Sequence, residues 1–448
     1  MSVVPSGGGA CGLIVAAPAS GSGKTVLTLG LLRHLKRSGV AVASAKAGPD
    51  YIDPAFHAAA SGRPCPNLDV WAMAKKTLAG MRAGLAEDCE IVICEGVMGL
   101  FDGATADRGS TADLAELTGW PVVLVIDARA QGASAAAVLR GFATHRPGIK
   151  VAAAVFNRVG SENHARAISE ACAATVPEVG VLGFLPREDG LSLPARHLGL
   201  VQASEHAELE AFLDRAAGLV AESVDVAALR RLARPWAGGG GAAAMGPPPL
   251  PPLGQRIAIA DDRAFGFAYR HVIEGWRAAG AAIETFSPLA GEAPWGQADA
   301  VYLPGGYPEL HAGRLAAATG FLDGLAAAAG RGAAVYGECG GYMVLGRGLV
   351  DKAGRGHAMA GLLPLETSFA EPRLHLGYRR AELAAAGPLG AAGTGFKGHE
   401  FHYAASLKEG PAESLFNCAD AHGKEQGKAG LAAGRVMGSF IHLIDRDD

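Results

Sequence analysis

Short apolar runs recur along the first half of the chain: GLIVAAPA, VAVASAKAG, EIVICEGVMG, PVVLVIDAR, VAAAVFNRV and VGVLGFLP. They are continuous rather than strictly alternating, the pattern of strands covered on both faces. Stretches between them, such as TVLTLGLLRHLKRSG, carry leucines at helical spacing. Strands alternating with helices predict a mostly parallel sheet. The rhythm stops at WAGGGGAAAMGPPPLPPLGQ, four glycines followed by clustered prolines with no charge, which reads as a linker. It resumes with RIAIADD, AAIETFSP, DAVYLPGG and GAAVYGECGG, and from LPLETSF onward the strands follow more closely, suggesting an antiparallel extension. The expected fold class is α/β with two doubly wound domains, residues 1–235 and 255–448, joined by a linker over 236–254.

A chain of 448 residues, 49% of them hydrophobic, is long enough for more than one core. Its 44 acidic and 40 basic residues leave a net charge of -4 and no long basic run, which favours small-molecule chemistry over nucleic acid. Seven cysteines at irregular spacing, without a CxxC pair, suggest neither a disulfide framework nor a zinc ribbon and point to a reducing cytoplasm. The opening apolar run has no Lys or Arg before it, and no uncharged stretch reaches the roughly 18 residues of a membrane span. A soluble protein is expected.

GLIVAAPASGSGKTVLTLGLL places a small-residue turn between a strand and a helix, the setting of a phosphate-binding loop. Backbone amides from Ser20, Gly21, Ser22 and Gly23 would surround phosphate oxygens, Lys24 would add charge, and the Thr25 hydroxyl would reach Mg²⁺. The strict pattern begins with glycine; here Pro18 stands in that place. Two further clusters fall where following strands should end: KAGPDYIDP, with Lys46, Asp50 and Asp53, and CEGVMGLFDG, with Glu95 and Asp102. Carboxylates there are hard ligands for Mg²⁺, and Lys46 suits a transferring phosphoryl group. Singly, an Asp in a Gly-Pro turn is more often a turn former.

AAVYGECGGYMVLG has the pattern of a nucleophile elbow: strand, sharp turn at Cys339, helix. Glycines 337, 340 and 341 permit the strained turn and are expected to leave the thiol exposed, whereas a cysteine inside an apolar strand, such as Cys94, is ordinarily inert. His442, in GRVMGSFIHLID, is one candidate base. His399 and His402 in GHEFHYA are others, but on a strand they face opposite sides and lack zinc-helix spacing. Gly305 and Gly306, after VYLP, offer backbone amides for an oxyanion.

Taken in order, APASGSGKT, KAGPDYIDP, EGVMGLFDG, IADDRAFGFAY, PGGYPEL, ECGGYM, GHEFHY and SFIHL resemble the cobyrinic acid and hydrogenobyrinic acid a,c-diamide synthase family across nearly the whole chain. The resemblance implies a dethiobiotin synthetase-like ATP domain followed by a class I glutamine amidotransferase domain of flavodoxin-like fold. It implies amidation of the a and c acetates of a corrin ring in cobalamin biosynthesis, with L-glutamine as nitrogen donor. Cys339 would attack glutamine with His442 as its base, and the amides of Gly306 and Gly340 would hold the oxyanion. ATP with Mg²⁺ would phosphorylate the ring carboxylate, and ammonia would displace phosphate. By position, Lys24, Thr25, Lys46, Glu95 and Asp102 match the family's nucleotide and metal site, and Asp50, Tyr51 and Ile52 its corrin-contacting turn. A homodimer is compatible with the resemblance. Many class I glutaminases carry glutamate two residues after the histidine, and this chain has Ile444.

Cobyric acid synthase and nickel-sirohydrochlorin a,c-diamide synthase share this chemistry and are the alternatives, and cobalt in the ring stays undecided. A P-loop switch ATPase of the partitioning type would explain SGSGKT but not Cys339, Gly305 and His442. A cysteine hydrolase fused to an unrelated ATPase would ignore ATP and corrinoid.

Overall fold

A run such as CGLIVA has no polar face to turn toward water, so it is stable only between two layers. The computed structural model describes residues 10–188, 190–191, 193–196, 199–237 and 248–447. They gather into two compact units, one within Met1–Trp71 and Lys75–Met245, the other within Ala72–Ala74 and Gly246–Asp448. Of the expected linker, residues 238–247 lie outside the described residues. Residues 248–254 lie with the second unit, Leu250 and Leu253 being buried.

The first unit runs β1 (Cys11–Ala16), α1 (Lys24–Arg37), β2 (Val42–Ala47), α2 (Asp53–Ser61), β3 (Asn67–Leu68), α3 (Lys75–Ala86), β4 (Ile91–Glu95), α4 (Thr111–Thr118) and β5 (Val122–Asp127). It continues through α5 (Ser134–Thr144), β6 (Val151–Val159), α6 (Glu162–Thr175), β7 (Gly180–Pro186), a small hairpin of β8 (Ala195–Arg196) and β9 (Gly199–Leu200), α7 (Leu209–Ser223), α8 (Val226–Leu232) and β10 (Arg234–Pro235). The sheet order is β3-β2-β4-β1-β5-β6-β7, all parallel, with β10 antiparallel beside β1. The chain leaves β1 toward β2 on one side and later fills β5 on the other, so the order reverses at β1. That switch opens a crevice at the carboxyl ends of the strands.

The second unit runs β11 (Arg256–Ala260), α9 (Arg270–Ala278), β12 (Ala282–Phe286), β13 (Ala300–Leu303), α10 (Ala312–Ala317), α11 (Thr319–Gly330), β14 (Ala334–Glu338) and α12 (Gly340–Leu345). Strands then follow closely: β15 (Gly348–Val350), β16 (Gly356–Ala358), β17 (Leu365–Ser368), β18 (His375–Leu383), β19 (Gly395–His402), β20 (Ala405–Glu409), β21 (Glu413–Asp420), β22 (Glu425–Ala433), β23 (Val436–Ser439) and β24 (Ile441–Arg446). The main sheet has the order β12-β11-β13-β14-β23-β22-β21-β18-β19-β24. It is parallel as far as β23 and antiparallel beyond. Only Phe440 separates β23 from β24, so the antiparallel path leaves one stretch of chain and returns to it. A smaller sheet, β16-β15-β17-β20, flanks it.

Close packing in the first unit is visible at Gly30, inside α1 against α7. A Cβ there would lie 2.6 Å from both the Ala216 carbonyl oxygen and Val220 Cγ2. In an open helix, Gly→Ala gains about 1 kcal/mol. Here a backbone oxygen cannot step aside, so the sign reverses: Gly30→Ala should cost about 1–3 kcal/mol. The expected result is a lower urea midpoint with an unchanged slope.

Candidate functional site

In the first unit the turn after β1 needs glycine twice. Gly21 has φ 78° and Gly23, which caps α1, has φ 102°, conformations that other residues resist. A Cβ on Gly23 would also lie 2.1 Å from Asn157 Nδ2. That amide donates to the Ser22 carbonyl at 2.9 Å, and Arg158 Nη1 donates to the Gly21 carbonyl at 3.0 Å and to Asp127 at 2.6 Å. The Ser22 hydroxyl donates to the Ala19 carbonyl at 2.9 Å. So the far end of β6 braces the loop, while Ser20 and Gly21 stay exposed above the positive end of α1. Lys24 Nζ donates to the Met98 carbonyl at 2.6 Å, and burial lowers its pKa. Gly99 is where the Asp102 loop meets the turn: a Cβ there would lie 2.5 Å from Asp102 Oδ2 and 2.6 Å from the Pro18 carbonyl. Asp102 is itself exposed and accepts from Gly99 N–H at 2.9 Å.

Beneath the loop sits a dry cluster of charge. Register pairs Lys46 on β2 with Glu95 on β4, and their side chains bond at 3.0 Å. Lys46 also donates to Asp53 at the start of α2. Glu95 accepts in addition from Thr25 at 2.7 Å and shares a 2.7 Å bond with His57 Nε2, whose Nδ1 is 3.4 Å from Cys65 Sγ. Burial acts against charge at Glu95, but Lys46, His57 and Thr25 outweigh it and hold the carboxyl far below its usual range. Burial likewise opposes the Lys46 ammonium, and Asp53 and Glu95 more than compensate. Burial and then Asp50 raise Asp53 to about 6. Asp50 accepts from the amides of Ile52 and Asp53 at 2.8 and 2.9 Å, which fixes the turn into α2. Asp50 and Tyr51 are half-buried there and Ile52 is buried.

In the second unit Cys339 lies between β14 and α12 with φ 46° and ψ -101°, a strained conformation for a residue with a side chain. The glycines make the turn fit: a Cβ on Gly341 would lie 1.9 Å from the Leu303 carbonyl. The thiol is not exposed as expected, because Cys339 is only 1% accessible. Small neighbours relieve the backbone without opening it to water. The segment after β13 lies against it, since a Cβ on Gly340 would stand 2.9 Å from Pro308 and 3.0 Å from the Gly306 amide nitrogen. His442 on β24 lies against the same segment: a Cβ on Gly305 would lie 2.2 Å from His442 Cε1. Thus Gly305, Gly306, Gly340 and His442 gather where the parallel strands end. Burial, and then Glu309, push the Cys339 thiol up, and burial lowers His442 to about 3. Both shifts favour the uncharged form of the group.

His399 lies opposite His442 across β19 and β24, and burial lowers it too to about 3. His402 faces the other way, stacked on Phe440 at 3.9 Å and on His375 at 4.7 Å. Ligand atoms of His375, Glu400 and His402 lie within 4.8 Å of one another, but Arg379 bonds Glu400 at 2.7 Å and takes the charge a cation would need. Sequence reasoning passed over His57, Asn157 and Glu338. His57 follows Asp53 by four positions on one helix face, a signal that was present. Glu338 stands beside the thiol in sequence, and its Oε2 is 3.7 Å from His442 Nδ1.

Removing one member of the dry cluster strands the rest. Lys46→Met should destabilise the first unit by about 3–5 kcal/mol, because Asp53 and Glu95 lose their shared counter-charge in a buried site. A thermal or urea melt of the purified variant measures it, and a loss below about 1 kcal/mol would contradict a pairing on which both carboxylates depend.

Comparison with known proteins extends across both units. Residues 13–201 match the CobQ/CobB/MinD/ParA nucleotide binding domain, and residues 256–448 match the CobB/CobQ-like glutamine amidotransferase domain. Hydrogenobyrinate a,c-diamide synthase of Brucella abortus biovar 1 (strain 9-941) is 53% identical over 438 residues, covering 97% of this chain and 98% of the relative. The proteins of the same name from Rhizobium meliloti (strain 1021) and from Rhodobacter capsulatus are 52% and 53% identical, with 97% of this chain covered in each and 99% and 98% of the relatives. Similarity that close, running through both the phosphate turn and the cysteine elbow, means that the chain belongs to the hydrogenobyrinate a,c-diamide synthase family.

Proposed function

We infer that the chain is an ATP- and glutamine-dependent amidoligase that converts hydrogenobyrinic acid, the metal-free ring, to its a,c-diamide. The observation that carries the reading is end-to-end identity of 53% with a relative of that name. The geometry supplies a chemical reason for both halves. A carboxylate is a poor acyl donor, so ATP first phosphorylates the ring acetate, and ammonia then attacks the acyl carbon and expels phosphate. The ammonia comes from glutamine: Cys339 sulfur attacks the carboxamide carbon as its proton passes to His442. The C–N bond then breaks, that proton leaves with ammonia, and water hydrolyses the glutamyl thioester.

Roles follow position. Ser20, Gly21, Ser22 and Gly23 cradle phosphate with backbone amides, and Lys24 leaves the Met98 carbonyl to meet phosphate oxygen. Lys46, held charged by its carboxylates, offsets charge on the transferring group. Thr25, Glu95 and Asp102 are hard oxygen donors, and the 2.7 Å between Thr25 and Glu95 is near the spacing of adjacent ligands around Mg²⁺ at about 2.1 Å. Thr25 and Glu95 therefore fit Mg²⁺, with Asp102 on the neighbouring loop as a further donor, and the ion would supply positive charge at the phosphates. Asp50, Tyr51 and Ile52 form the ring-contacting turn. The Gly306 and Gly340 amides receive the oxyanion of the glutamine intermediate. Unpaired cysteines throughout the described residues support a cytoplasmic location, and no described helix is long and apolar enough to cross a membrane.

Supplied with Mg-ATP, glutamine and metal-free ring acid, the purified protein should add two amides, counted by mass, and should act poorly on the cobalt-containing ring. Equal turnover of both rings would overturn the substrate assignment. Cys339→Ser should abolish glutamine-dependent synthesis and keep synthesis from added ammonia. Loss with both nitrogen sources would sink the division of labour.

A further inference from the structure

We propose that Glu338, the residue before the nucleophile, is the positioning acid of the glutaminase site, holding and charge-balancing His442 in place of a glutamate at position 444. The inference rests on the glutaminase reading above. Ile444 is fully buried and apolar, so the strand that carries His442 offers it no acid from that position. Glu338 arrives from a different strand. Register places it opposite Ser439 on β23, at the point where the same stretch of chain crosses into β24. Its Oε1 accepts from the Leu443 amide at 3.0 Å, which ties the carboxylate to the residue following the histidine.

Count of lone pairs favours the assignment. A carboxylate has about four acceptor sites. Tyr336 hydroxyl and Leu443 N–H occupy Oε1, both at 3.0 Å, and Tyr302 hydroxyl donates to Oε2 at 2.7 Å. The remaining site belongs to Oε2, which stands 3.7 Å from His442 Nδ1, within ion-pair range. The competing carboxylate, Glu400, acts on His442 but is itself bonded to Arg379 at 2.7 Å and to His402 at 2.9 Å. Glu338 has only uncharged donors for these bonds, so its charge is available when His442 takes the proton from Cys339. A backbone contact at Phe267 adds to the stabilisation of that charged ring.

The groups acting on the pair are Tyr302, Tyr336 and the Leu443 amide, bonded to Glu338, and the charges of His399, His402 and Glu400 felt at His442. Burial raises Glu338 to about 7, whereas the Leu443 amide and the tyrosine hydroxyls act to lower it. Below that pH the carboxyl is neutral and gives His442 no support. Glutaminase turnover should therefore rise as pH passes upward through this range.

The test compares Glu338→Gln, Tyr302→Phe and the unaltered protein for glutamine hydrolysis across pH, with ammonia-driven synthesis as a control for the first unit and a thermal melt for the second. Expected for Glu338→Gln are a roughly 10²-fold lower kcat, a KM for glutamine within about twofold, and loss of the rising limb. Tyr302→Phe removes a donor that favours the anion, so its limb should move to higher pH. The rate of Cys339 alkylation by iodoacetamide should follow the same three profiles. An unchanged limb in both variants, or a kcat for Glu338→Gln within about twofold of the original, would overturn the proposal. If Cys339→Ser itself retained glutamine-dependent synthesis, the functional reading would fail instead; loss there with an unaffected Glu338→Gln would fail this inference alone.

Discussion

Both units carry a carboxylate on the last residue of a buried parallel strand, Glu95 on β4 and Glu338 on β14, and a charge in that position must be met by groups the sheet brings to it. At Glu95 the neighbouring strand supplies Lys46 and helix α2 supplies His57, so the group stays ionised with margin. At Glu338 the neighbours are two hydroxyls and an amide, and the carboxyl is left near the midpoint of its titration. The same structural position thus serves two chemistries. One carboxyl has cationic neighbours, and the other has only uncharged donors.

Burial sets the character of the thiol in the same way. Cys339, His442 and His399 sit in a region where each charged form is disfavoured. A thiol held neutral this way is protected from stray electrophiles and oxidants, since reactivity follows thiolate content. The strained backbone at Cys339 and the glycines around it fix where the sulfur stands.

The parallel sheets are legible because their strands are apolar on both faces, and the phosphate turn because glycine alone tolerates the φ found at positions 21 and 23. The switch to close-set strands after LPLETSF is readable too, since helices no longer fit between the apolar runs. Burial of Cys339 is not legible: a glycine-rich turn relaxes sterics, but the groups packed about that turn, Leu303, Gly306, Pro308 and the Ser439 carbonyl, are distant in sequence. Glu338 is hidden by a local rule. Neighbours on a strand point to opposite faces, so the residue before a nucleophile looks irrelevant until the chain bends at Cys339 and β24 passes beside it. His57 is legible in its spacing from Asp53 but not in its partner, because Glu95 comes from another strand.

The stretch 436–446 joins the parallel sheet through β23 and closes the antiparallel path through β24. His442 lies within it, opposite His399 on β19. During synthesis the first unit, with its charge cluster, is therefore complete before the strand that carries His442 exists. The main sheet of the second unit is continuous only once this segment lies between β14 and β22 and reaches β19. Order of synthesis thus separates the two units: the first has all its strands early, whereas the second waits for this segment to complete its sheet.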